Sequence, residues 1–94
     1  MPKLRLFFAN KFKKGLARCI KRGYDRTLLD TVIALLQNGE KLPAKYKDHA
    51  LKGNKDGLRD CHIKPDWVLI YKIKNDELVL VLLETGTHSD LFGS

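Results

Sequence analysis

A chain of 94 residues and 10.8 kDa is enough for one domain, residues 1–94, and too short for two. With 44% hydrophobic and 31% charged residues it can bury a modest core, which excludes the disordered class. Lys and Arg number 18 against 11 Asp and Glu, a net charge of +7 and a pI near 9.6, a balance suited to an anionic partner: RNA, DNA or an acidic protein.

Membrane, secreted and zinc-ribbon classes fall away in turn. A bilayer span needs about 20 apolar residues, and the longest apolar run here is Leu78 to Leu83. Lys3, Arg5, Lys11, Lys13 and Lys14 interrupt the N-terminal apolar residues, so no signal-peptide core is expected. Cys19 and Cys61 lie far apart and form no CxxC pair, which excludes a disulfide framework and suits a reducing cytoplasm.

Residues 3–8 alternate polar and apolar before running apolar, which predicts a short strand. From Asn10, read as an N-cap, Phe12, Leu16, Cys19 and Ile20 recur at helical spacing, and Gly23 stops the pattern. Gly15 weakens this helix by roughly 1 kcal/mol relative to Ala. Asp25 caps a second helix with an apolar face of Leu28, Val32, Leu35 and Leu36, ended by Asn38-Gly39. Residues 40–57 are polar, lack a period and predict a long loop. Three strands follow, Leu58–Ile63, Trp67–Ile73 and Leu78–Leu83, the last two joined by a tight turn at Asn75-Asp76. The uninterrupted apolar character of Leu78–Leu83 predicts a strand that is central or covered on both faces. The order β-α-α-β-β-β implies an α+β fold: a small, mainly antiparallel sheet with an N-terminal helical hairpin packed on it.

Charge is unevenly spread over this plan. The first 23 residues carry eight Lys and Arg and no acid, Lys41, Lys45, Lys47, Lys52 and Lys55 follow in the loop, and no Lys or Arg comes after Lys74. One side of the molecule is therefore expected to be basic.

The three histidines, His49, His62 and His88, all lie in the loop-and-sheet half, with Asp48, Asp60 and Asp66 close by in sequence. An antiparallel sheet can bring a loop, a strand end and the segment past the last strand to one edge. Imidazole titrates near neutrality, so paired histidines can supply both a general base and a general acid. The same residues could ligate a metal, but no HxH or HExxH pair fixes two ligands on one element, which favours acid–base work without a metal or other cofactor. Cys61, alternating with Asp60 and His62, is expected to point inward as a small hydrophobe. Phe92 follows the last strand and serves either as an apolar anchor or as a platform for a base.

Three segments carry a resemblance. Leu42–Gly53 (LPAKYKDHALKG), Gly57–Tyr71 (GLRDCHIKPDWVLIY) and Gly86–Gly93 (GTHSDLFG) resemble the YafQ branch of the RelE/ParE toxin superfamily across nearly the whole chain. The resemblance implies a RelE-like fold and the toxin of a type II toxin–antitoxin pair. Its activity would be that of an endoribonuclease cutting mRNA on the translating ribosome in the cytoplasm, with a cognate antitoxin as partner. It places catalytic positions on His49, Asp60, His62, Asp66, His88 and Phe92, and supporting, RNA-binding positions on Arg59 and Trp67. Ala50 stands where some relatives have Pro, and Cys61 where some have Ala.

The mechanism expected from both readings needs no metal. The RNA 2′-hydroxyl attacks the neighbouring phosphate, His49 or His62, oriented by Asp60 or Asp66, takes its proton, and His88 protonates the leaving 5′-oxygen. Arg59 with a loop lysine, Lys47 or Lys52, would stabilise the phosphorane. Two alternatives stand beside it: a non-catalytic, ParE-like inhibitor, and a basic nucleic-acid-binding module without chemistry.

Overall fold

The computed structural model describes residues 3–51, 53 and 57–93. In chain order it contains β1 (Arg5–Phe8), α1 (Asn10–Lys21), α2 (Arg26–Gln37), a 3-10 turn (Ala44–Tyr46), β2 (His49–Ala50), β3 (Arg59–Lys64), β4 (Trp67–Lys74), β5 (Val79–Gly86) and α3 (His88–Phe92). The sheet is five-stranded, in the order β1-β5-β4-β3-β2. The expected α+β plan with its helical hairpin holds, with three differences.

The first is that β1 runs parallel to β5, while the other three pairings are antiparallel. The chain leaves β1 into α1, which crosses back over β5, so β1 lies beside β5 in the same direction. Secondly, the expected loop contains β2, and a short helix, α3, follows the last strand. Thirdly, Asn75 and Asp76 do not close a two-residue hairpin. The connection runs to Leu78, which takes a left-handed conformation (φ 54°) and accepts the Arg5 N–H at its carbonyl. That bond to β1 holds Leu78 out of the β4–β5 ladder.

Local chemistry sets the helix limits. Ala9, not Asn10, is the N-cap of α1, because the Ala9 N–H still bonds Leu82 O of β5 at 3.0 Å and keeps the backbone extended there. The Asp25 carboxylate caps α2 as expected, accepting from the Thr27 N–H at 2.9 Å. Both helices end alike. Gly23 and Gly39 are left-handed, and the following N–H groups of Tyr24 and Glu40 reach back to Cys19 O and Leu35 O.

The core lies between this hairpin and one face of the sheet. Phe12 and Cys19 of α1 and Leu29, Val32, Ile33 and Leu36 of α2 pack with Cys61, Trp67, Leu69, Tyr71, Leu80 and Leu82. Leu28 and Leu35, expected in the α2 face, lie at its margin, and Ile20 of α1 is exposed. β5 is central, as its apolar run predicts, but only one face is sealed: Leu80 and Leu82 are buried, whereas Val79, Val81 and Leu83 are half-buried.

Gly15 explains the rotation of α1. A β-carbon at Gly15 would lie 2.1 Å from the Thr85 carbonyl oxygen, so the helix touches β5 backbone to backbone at this point. Thr85 is itself fixed from the other side. Its hydroxyl accepts the Trp67 indole N–H at 2.9 Å and donates to Val68 O at 2.8 Å. The small propensity loss at Gly15 is thus outweighed by a packing requirement. Gly15→Ala should therefore destabilise the protein by about 2 kcal/mol or more, lowering the melting temperature by roughly 10 °C. Lys14→Ala, one residue earlier on the exposed face, should melt within a degree or two of the parent. Thermal unfolding followed by circular dichroism checks both.

Candidate active site

The site is assembled from four short segments around the ends of β3, β4 and β5. His49 and Asp60 sit opposite each other in the β2–β3 ladder. The imidazole is half-exposed, its Nδ1 donates to Lys47 O at 2.6 Å, and its Nε2 lies 3.1 Å from Asp60 Oδ1. A carbonyl can only accept, so Nδ1 carries a proton and Nε2 is the ring nitrogen left to exchange one. Asp60 is 6% exposed, and the Nε2 contact is off the hydrogen-bonding direction: Oδ1 accepts no hydrogen bond from any described residue. A buried carboxylate oxygen without a donor, next to an imidazole nitrogen free to exchange a proton, marks a candidate site of proton transfer.

His62 lies two residues along β3, on the same side of the strand as Asp60, while Cys61 and Ile63 turn into the core. Its Nδ1 pairs with Pro65 O at 3.2 Å, which orients the ring across the β3–β4 turn. Asp66, in that turn, faces the His88 backbone N–H, its Oδ1 at 3.4 Å. Asp66 thus connects this turn to the first residue of α3. The His88 and Phe92 rings stand one helical turn apart on α3, centroids 4.7 Å apart, and Phe92 is 41% exposed. The structure therefore forms a His49–Asp60 pair and an Asp66–His88–Phe92 group, with His62 on β3 beside Asp60.

The four expected RNA-binding residues divide. Trp67 is corrected: it is 1% exposed, packs on Tyr24 with ring centroids 4.9 Å apart and bonds Thr85, so it has no face for RNA and belongs to the core. Arg59 is directed to Asp48, with Nη2 3.1 Å from Oδ2. Its hydrogen bonds to Asp48 are the main reason the guanidinium holds its proton even more firmly than usual. Lys47 is exposed and left-handed (φ 49°), and supplies the carbonyl that holds His49. Lys52 lies outside the described residues.

Two clefts adjoin these groups. One, of about 550 Å³, is lined by Lys45, Tyr46, Lys47, His62, Lys64 and Pro65 and is strongly basic. The other, of about 430 Å³, has an apolar floor that includes Leu58, Ile70 and Leu83, with Leu91 and Phe92 at its side. Cys61 is inert, since burial pushes its thiol up to about 12. Among the described residues no three His, Cys, Asp or Glu side chains converge as a metal-binding set.

Two further residues build the site: Asp48, noted in sequence only as an acid near the histidines, and Asp90, which had no mark in the sequence pattern. Asp48 accepts from both Arg59 and the Tyr71 hydroxyl. Asp90 closes a capping box with Thr87 and accepts two bonds from Arg22 of the α1 terminus, at 2.6 and 3.0 Å. Gly86 makes room for it, since a β-carbon there would lie 2.9 Å from Asp90 Oδ2. A helix of five residues cannot stand alone, so this carboxylate anchors the element that carries His88 and Phe92.

The fold is that of the RelE-like toxins, and comparison with known proteins narrows it. A family model described as a bacterial toxin of type II toxin–antitoxin system, YafQ, matches residues 4–93. The mRNA interferase toxin YafQ of Escherichia coli K12 is 44% identical over 87 residues, 92% of each chain. A metal-bound toxin from Helicobacter pylori superposes with a TM-score of 0.91 at 44% identity, covering 95% of this chain and 99% of that one. YafQ in the E. coli DinJ–YafQ toxin–antitoxin complex gives a TM-score of 0.88 at 40% identity, covering 97% and 99%. The chain belongs to the YafQ family of type II toxin–antitoxin toxins.

The Arg22 hydrogen bond, reinforced by the Thr87 N–H, holds the Asp90 carboxyl well below the usual carboxylate range. A depressed folded-state pKa stabilises the protein above the unfolded value, about 4, and that stabilisation is lost as the pH falls toward the folded value. Asp90→Asn should therefore melt below the parent at pH 7, with the gap narrowing as the pH drops below about 4. Parallel melting curves across that range test it.

Proposed function

We propose that this protein is a cytoplasmic endoribonuclease toxin that cuts mRNA on the translating ribosome by acid–base catalysis, and that an acidic antitoxin neutralises it. The observation that carries the chemistry is the His49–Asp60 pair, in which Nε2, left free by the Lys47 carbonyl, lies 3.1 Å from a buried carboxylate oxygen with no donor among the described residues. Membership of the YafQ family and the name of the E. coli relative supply the substrate class. No helix among the described residues is long and apolar enough to cross a membrane.

In this reading His49 Nε2 takes the proton of the RNA 2′-hydroxyl, and the resulting imidazolium is neutralised by Asp60 Oδ1. The 2′-oxygen forms a bond to phosphorus as the bond to the 5′-oxygen breaks, and His88 donates a proton to that leaving oxygen. His62, whose Nδ1 pairs with Pro65 O, donates in this reading to a non-bridging phosphate oxygen. Lys45, Lys47 and Lys64 line a cleft of the right charge for the backbone. The half-exposed ring of Phe92, held against His88, offers a stacking platform for a base next to the cut. Neither a ParE-like inhibitor nor a passive RNA-binding module would require the donor-less carboxylate beside His49.

Products should carry a 2′,3′-cyclic or 3′-phosphate and a 5′-hydroxyl, and a single 2′-deoxy substitution at the cut should stop the reaction on programmed ribosomes. His88→Ala, at an exposed position, should melt like the parent and lose about 100-fold or more in rate. A 5′-phosphate product, or cutting that survives the deoxy substitution, would overturn the mechanism.

A further inference from the structure

We propose that Asp48, clamped by Tyr71 and Arg59, is a positioning residue that sets the ring orientation and tautomer of His49. The inference rests on the catalytic reading of His49 given above, but its structural half can be tested without RNA.

β2 contains only His49 and Ala50, so its ladder with β3 is too short to define an imidazole's direction. Just before it, Lys47 is held left-handed at φ 49°, a conformation that strains a residue with a side chain. That conformation brings the Lys47 carbonyl to His49 Nδ1 at 2.6 Å and so decides which ring nitrogen is free. Something must hold the Lys47–His49 segment, and Asp48, between the two, is its only side chain tied to the sheet on the core side among the described residues. The Asp48 Oδ1 accepts from the Tyr71 hydroxyl and lies 3.4 Å from Arg59 Nε; Oδ2 accepts from Arg59 Nη2 at 3.1 Å.

The donors are rigid in turn. Tyr71 is 1% exposed in the middle of β4, and Arg59 and Tyr71 are directly paired across the β3–β4 ladder. Burial, and then the bond to Asp48, raise the Tyr71 phenol above its usual range, so it remains a donor throughout the working pH range. The side chains of residues 48 and 49 leave the chain on opposite sides: Asp48 is held on the helix-covered face while His49 meets Asp60 on the other. A shift of Asp48 would therefore be passed to His49 through a single peptide unit.

Tyr71→Phe removes one hydroxyl and keeps the buried ring. Single-turnover cleavage of mRNA on ribosomes should slow by about tenfold to a hundredfold, with the half-saturating ribosome concentration changed less than about twofold. The same protein, free of RNA and labelled with nitrogen-15, should show the His49 ring signal move from the Nδ1-protonated form toward a mixture of tautomers. Asp48→Asn, which keeps an acceptor for the tyrosine, should lose less than Asp48→Ala, and carries the test should Tyr71→Phe fail to fold. Unchanged rate, or a slowed reaction with an unchanged imidazole signal, would overturn the proposal. A parent protein that cuts no RNA would sink the catalytic reading, while the ring signal would still report on the clamp.

Discussion

The approach of α1 to β5 at Gly15 is the constraint on which the remaining arrangement depends. With no side chain between them, helix backbone meets strand backbone at the Thr85 carbonyl. The Thr85 hydroxyl is meanwhile engaged by Trp67 and by Val68 O on β4. This contact fixes the height of α1 over the sheet, and with it the place of the α1 terminus, where Arg22 meets Asp90. One glycine thereby sets where α3, and so His88, can stand. A bulkier residue would press on β5 and, through Thr85, on β4.

Much of the architecture could be read from the residues because it depends on neighbours in sequence. The Asp25 cap, the glycines ending both helices, and the three long strands follow from local chemistry and short periods. What could not be read depends on partners far away in the chain. The parallel alignment of β1 comes from where α1 crosses the sheet, and β2 exists because two residues of a polar loop are met by the open edge of β3. Gly15 has a local reading as a weak helix residue, and its actual role appears only with Thr85 beside it.

The same division runs through the candidate site. His49, Asp60, His62, Asp66, His88 and Phe92 were legible by residue type and motif, and the fold arranges them around adjoining strand ends. Their individual partners were not. Asp66 meets a backbone N–H of α3, and Trp67, a supporting position by resemblance, spends its one donor on a buried hydroxyl. Asp48 and Tyr71 look like a loop acid and a core aromatic when taken singly. Their meaning lies in a contact spanning 23 positions.

The pairing of β1 with β5 also has a temporal side. β1, at residues 5–8, has its hydrogen-bonded neighbour at residues 79–86, and α3, at 88–92, closes on Arg22 only after that. Strand pairings so distant in sequence form late, when both segments are available. A ribosome making this chain therefore holds, for most of the synthesis, a fragment in which the central strand and the His88–Phe92 helix do not yet exist. His49, Asp60 and His62 emerge first and wait for the segment that completes their surroundings. By topology alone, the complete constellation arises only once residues 79–92 have joined the fold.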